Sequence, residues 1–129
     1  MKRYRTWIIV SIVFFVLSIV LVMYDGIHGN FIRDYMMERR TEEHLMNEGY
    51  KKEEIASIEA TYNMKFNTGD INGTIAYVIF QDEPKEKYLY VQWRDSREIQ
   101  QKCDYYNEDT NAVEVEYTEE RKYMVKDCY

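Results

Sequence analysis

From Trp7 to Met23 the chain reads WIIVSIVFFVLSIVLVM, seventeen residues with no charge and only two serines. A membrane-spanning helix needs about 17–25 apolar residues, so this run suffices, and Tyr24 extends it. Backbone groups in lipid must be paired within their own segment, which makes a helix the form expected here. Lys2, Arg3 and Arg5 precede the run. Basic residues mark the cytoplasmic side, so the expectation for 1–24 is a cytoplasmic N-terminus and a single span, with Trp7 and Tyr24 as interfacial anchors. A cleaved signal peptide has the same basic start and apolar run. Its cleavage site wants small residues at A-x-A-like spacing, and VLVMYDGIHGN has none. The reading is an uncleaved anchor.

Beyond Tyr24 the pattern changes. DGIHGN, residues 25–30, has two glycines and an asparagine and reads as a flexible joint. Residues 31–129 then form one extracytoplasmic domain. FIRDYMMERRTEEHLMNEG favours a helix over 31–48, with Asn30 to cap its start and Gly49 to end it. Phe31, Tyr35, Leu45 and Met46 fall near one face, and ERRTEEH looks solvated, as in a partial stalk.

KKEEI at 51–55 reads as one more helical turn. The period then falls to two: Ile58, Ala60, Tyr62, Met64 and Phe66 alternate with polar residues. NTGDING is a connector. TIAYVIF at 74–80 is apolar on both faces, as in a strand buried on both sides. KYLYVQW at 87–93 and REIQQKCDYY at 97–106 complete about four strands. The tail over 112–126 fits two patterns. AVEVEY alternates like a strand, whereas Asn111 as cap, early acids and late Arg121, Lys122 and Lys126 favour a helix, the preferred reading. The expected fold is α+β: a transmembrane helix, a second helix, an antiparallel sheet and a helical tail.

Charge narrows the partners. Fourteen of the seventeen Lys/Arg and all twenty-three Asp/Glu lie after residue 24, a net charge there of about −9. An acidic surface repels phosphate backbones, so nucleic acid is not an expected partner. Thirteen tyrosines are a large number for this length. Tyr pairs an apolar ring with a polar handle, a combination favoured at interfaces and on half-exposed sheet faces alike. Tyr62, Tyr77, Tyr88 and Tyr90 are the candidate interaction face if neighbouring strands bring them together. Cys103 and Cys128 are the only cysteines. An even count in an oxidising compartment points to a Cys103–Cys128 bridge, with two free thiols as the alternative.

Catalytic and metal chemistry finds few candidates. His28 and His44 have no partner at metal-ligand spacing. Gly69–Gly73 lacks the spacing and lysine of a phosphate loop, and no nucleophile sits in an elbow motif. Asn72-Gly73-Thr74 reads as turn chemistry. Asp82, Glu83 and Glu86 crowd one turn, yet calcium wants ~6–8 oxygen ligands, and the nearby Asn67, Asp70 and Asn72 do not match a calcium loop. No metal or cofactor is expected. Pro84, the only proline, fixes φ and suits the second position of a tight turn, so Asp82–Glu83–Pro84 reads as a hairpin tip between two strands.

The same stretch, IFQDEPKEKYLY, together with GYKKEEIASIEATYN upstream, resembles a family of small single-pass membrane proteins of Gram-positive bacteria catalogued as a domain of unknown function. The matching positions are Gly49, Tyr50, Ile55, Asp82, Glu83, Pro84, Tyr88 and Tyr90, and the likeness covers about residues 1–100. It implies an anchor, a small outer domain and a bacterial cell-membrane setting. It implies no activity and no catalytic residue.

These readings favour a non-catalytic, membrane-anchored module that binds or inhibits a cell-envelope protein. A helix on a four-stranded sheet resembles cystatin-like inhibitor layouts, by fold analogy alone. Two alternatives stand: a small cell-wall hydrolase using paired carboxylates, and an immunity protein against a membrane-active toxin.

Overall fold

The computed structural model describes residues 2–107 and 109–129. Helix α1 runs Lys2–His28, and none of its apolar stretch is buried within the protein. It is long and apolar enough to cross a membrane, a property that signal sequences share. The 25–30 segment is not a loose joint. Gly29 takes φ +71 and its N–H donates to Asp25 O at 2.9 Å, ending α1. Gly29 is buried against Tyr62, and Arg33 forms an ion pair with Asp25 across the elbow.

Helix α2, Phe31–Asn47, starts where its sequence signals placed it. The Asn30 side chain accepts from Arg33 N–H at 2.9 Å. At the other end Gly49 takes φ +101. Gly49 N–H donates to Met46 O and Tyr50 N–H to Leu45 O, the paired bonds of a glycine-terminated helix. The buried stripe is Met37, Thr41 and Leu45. Phe31, Tyr35 and Met46, expected beside Leu45, are exposed instead.

Four antiparallel strands form a meander in the order β1-β2-β3-β4: Ile55–Tyr62, Thr74–Phe80, Tyr88–Gln92 and Ile99–Gln101. In β1 the pairing shifts between Ile55 and Ser57. Ile55 and Ile58 are three apart and would otherwise face opposite ways; the bulge turns both toward the core on the α2 side. The strand stops at Tyr62, because the Asn63 side chain accepts from Lys65 N–H and starts a 3-10 turn over Met64–Phe66. The outer edge of β1 is blunted where Glu38 of α2 accepts the Ala60 N–H at 3.2 Å.

Both faces of the sheet are covered. On the α2 side Val78, Phe80, Tyr88 and Tyr90 pack with Met37, Leu45, Ile99, Tyr123 and Met124. On the other side Ile75, Leu89 and Val91 pack with Ile71, Phe66, Tyr77 and Trp93. This is why TIAYVIF is apolar throughout.

The helical tail is a correction. Ala112–Glu114 forms β6, paired with β5, Tyr105–Asn107, and residues 115–129 cross the sheet in turns and extended chain. Asn111 takes φ +52 in the β5–β6 turn, so it does not cap a helix. The β-branched alternation of AVEV suits a ribbon. The later residues trade helical bonds for contacts with the sheet, described next.

Candidate functional site

Around Asp82–Glu83–Pro84 the β2–β3 hairpin closes as its sequence indicates. Glu86 N–H donates to Glu83 O at 3.1 Å, with Pro84 at the second turn position. The carboxylates have a further use: they latch the C-terminal tail. Asp82 accepts from Tyr123 Oη at 2.6 Å and pairs with Lys122. Glu83 accepts from Tyr88 Oη, which in turn accepts Tyr123 N–H at 3.2 Å. Glu86 pairs with Arg121 at 3.1 Å. The Arg121 guanidinium also donates to Lys87 O at 2.7 Å and lies 4.5 Å from the ring centres of both Tyr88 and Tyr105. Hydrogen bonds from Lys122 and then Tyr123 hold the Asp82 carboxyl below the usual carboxylate range, and Asp82 raises Lys122 in return. Burial pushes the Tyr88 phenol up, and its bond to Glu83 adds to this. Among the described residues, no three His, Cys, Asp or Glu gather as metal ligands.

Gln101 is the second fastening of the tail, and nothing in the sequence reading singled it out. It is buried on β4. Its Nε2 donates to Tyr123 O at 2.8 Å and to Tyr90 Oη at 3.1 Å, while its Oε1 accepts Val125 N–H at 2.8 Å. A glutamine at an inward strand position is the one signal that could have marked it. The third fastening is covalent: Cys103 and Cys128, 25 positions apart in sequence, are joined, with Cα atoms 5.2 Å apart. Beside the bond, Tyr129 N–H donates to Gln101 O and Cys103 N–H to Tyr129 O, so the chain end extends the β4 edge.

The tyrosines do not form a common face, which corrects the expectation. Tyr77 lies opposite Leu89, whereas Ala76 and Val78 lie opposite Tyr90 and Tyr88. Side chains alternate along a strand, so this register sends Tyr77 to one side of the sheet and Tyr88 and Tyr90 to the other. Tyr88 and Tyr90 are buried in the core. Tyr62 sits at the elbow against Gly29.

The concave surface lies elsewhere. An open cleft of about 640 Å³ runs between the second half of α2, the β3–β4 connection and the tail. Tyr50, Tyr90 and His44 are among its walls, with the His44 ring edge-on to Tyr90 at 5.9 Å. Charged side chains of both signs line it: Arg40, Glu43, Arg97 and Glu98. Arg97 has φ +60, held there by Arg97 N–H donating to Trp93 O and Arg97 O accepting Gln92 Nε2, both at 3.0 Å. Arg40 donates to Gln92 Oε1 at 3.2 Å. His44, expected on a solvated helix, meets Arg97, 53 residues away, only because α2 docks on the sheet beside the β3–β4 turn, a long-range placement with no local sequence signal.

A family model described as "Protein of unknown function (DUF3139)" matches residues 4–90. No curated protein and no solved structure matches. The matched stretch takes in α1 from its third residue, α2, β1, β2, the latch hairpin and part of β3. Strand β4, the ribbon, the disulfide and the tail lie beyond it, so the hairpin falls inside the match and the segment it holds falls outside.

Proposed function

The chain belongs to the DUF3139 family of proteins of unknown function, and we propose that it is a membrane-anchored, non-catalytic module whose outer domain binds a protein of the cell envelope. The observation that carries this reading is a wholly exposed apolar helix joined, through a packed elbow, to a small domain with an open cleft. Lipid is the environment in which α1 loses nothing by its exposure. On this reading its start is cytoplasmic and the domain lies outside, which Lys2, Arg3 and Arg5 ahead of the apolar run support. A disulfide suits that compartment. The cleft replaces the tyrosine face as the binding surface. Aromatic walls and charges of both signs are what a polar protein segment requires.

The test has two parts. A reporter fused after Tyr129 is expected to be active only outside the cytoplasm, on a chain that retains Met1–Trp7; a shortened, soluble product refutes the anchor. Photo-crosslinking side chains at Glu43 and Arg97 in the membrane-bound protein are expected to trap one protein partner, with the adduct lost on Glu98→Lys. Adducts that ignore that reversal of charge refute the cleft.

One observation favours a second reading. Glu43, Glu48, Glu98 and Asp127 all line the cleft, so a cell-wall hydrolase with paired carboxylates has its acids in one place. Release of soluble fragments from purified cell wall, abolished by Glu43→Gln or Glu98→Gln, would select it.

A further inference from the structure

The first two turns of α2 carry an apolar surface that the domain does not use. Phe31 is 80% exposed, Ile32 55%, Tyr35 60% and Met36 43%. Phe31 and Tyr35 are four residues apart, as are Ile32 and Met36, so the four side chains make two adjoining ridges on one side of the helix. Their neighbours on the inward side, Arg33 and Met37, are engaged with Asp25 and the core. Further along α2 the exposed positions turn mainly charged, with Arg39 and Glu43.

The place of this surface identifies what covers it. At 1.5 Å per residue, a hydrocarbon core ~30 Å thick takes about twenty residues of α1. Trp7–Tyr24 supplies eighteen of them, and Asp25, the first charge after the run, marks its outer edge. Ile27 and His28 then lie in the headgroup layer. Phe31 follows three residues later, at most ~11 Å from His28 along the chain. The elbow holds it near: Gly29 is buried against Tyr62, and Asp25 pairs with Arg33 across the bend. Met64, 67% exposed and two residues past Tyr62, adds another apolar side chain at this end of the domain.

We propose that the first two turns of α2 lie in the interfacial layer of the outer leaflet, with Phe31, Ile32, Tyr35 and Met36 in contact with lipid. The domain is thereby held against the bilayer in one orientation and is not raised on a stalk. This inference rests on the reading of α1 as a membrane anchor. The attraction is apolar, because the domain carries a charge of about −9 and anionic headgroups repel it. It needs no anionic lipid and withstands salt.

The full chain reconstituted in phosphatidylcholine vesicles tests this. The native cysteines are bonded to each other, so an introduced cysteine takes a fluorophore selectively without reductant. Labels go on Phe31→Cys and Tyr35→Cys, with Glu43→Cys as the control further along α2 and Val16→Cys as the control within α1. Spin-labelled lipids then report contact. The expected result is loss of emission at 31 and 35 with a headgroup-region quencher, little loss at 43, and no change at high salt. Quenching at 16 with 31 and 35 no more affected than 43 overturns the proposal and leaves the anchor standing. Absence of quenching at 16 by a lipid spin-labelled deep in its acyl chain, the quencher that reaches mid-span, defeats the anchor reading and the proposal with it. Labels at 31 and 35 that are shielded from aqueous iodide but untouched by lipid quenchers identify a protein cover, such as a second copy, and also overturn it.

Discussion

The ring of Tyr123 lies flat on that of Phe80, with centroids 3.7 Å apart and planes 8° apart. A tail residue is thus stacked on the end of β2, and three further devices converge on it. Its hydroxyl reaches Asp82, its N–H reaches Tyr88, and its carbonyl is held by Gln101. Truncating Tyr123 to Ala opens a hole beside Phe80 and frees the latch, a loss of about 3–4 kcal/mol in urea unfolding of the full chain in detergent. Tyr123→Phe keeps the stack and loses only the hydroxyl's bonds, the one to Asp82 chief among them, so its loss is smaller. Amide exchange over 117–129 rises well above wild type in the Ala variant and only slightly in the Phe variant.

The covalent clasp makes a separate prediction. Joining Cys103 to Cys128 closes a loop 25 residues long and constrains the unfolded chain, a stabilisation of ~3–4 kcal/mol. The non-reduced protein is expected to weigh less than its reduced form by two hydrogens. Cys128→Ser is expected to lower the unfolding midpoint to the value of the reduced wild type. Thiols that label freely in protein taken straight from its membrane contradict the bond. Because the tail is fastened at both Tyr123 and Cys128, losses in the double variant are not additive.

How far the sequence foretold these features depends on the range of the interaction behind each. The Asn30 cap, the Gly49 stop and the Pro84 turn were legible because each is decided within four or five residues. The two-sided burial of β2 was legible because every position of TIAYVIF is apolar except Thr74. The tyrosines were not, since a one-residue difference in register decides whether Tyr77 shares a face with Tyr88. Nor was the tail: its local helix signals were outweighed by Gln101, Phe80 and the acidic hairpin, 22 to 43 residues away from Tyr123. The cleft depends on the same long-range placements.

Asp82 gives the latch a pH dependence of definite sign. Its carboxyl is held below the ordinary value of 3.8 by Lys122 and Tyr123. A depressed carboxyl pKa adds stability that is complete above the unfolded value and is lost as pH falls through the folded value. The wild-type thermal midpoint should therefore fall more steeply than that of Asp82→Asn below about pH 4. The pair with Lys122 is exposed, so the gap between the two proteins is small and narrows further in high salt. Equal acid slopes for the two proteins remove Asp82 from the latch.

The elbow leaves no room for a side chain at Gly29. At Gly29 a Cβ would lie 2.5 Å from Tyr62 Cβ, and φ is +71. Gly29→Ala meets both obstacles, and a cost above ~1 kcal/mol follows from the backbone conformation alone. The collision is with a Cβ atom, so trimming the ring does not relieve it: Tyr62→Ala fails to rescue Gly29→Ala. Gly26 makes the comparison. It lies inside α1 with nothing within 4 Å of an added Cβ, and Ala is the better helix former by roughly 1 kcal/mol, so Gly26→Ala is neutral or stabilising. Midpoints of thermal unfolding for the three variants and the double variant decide the matter. If Gly29→Ala unfolds like wild type, the elbow is slack, and the interfacial placement of Phe31 loses the contact that fixes it.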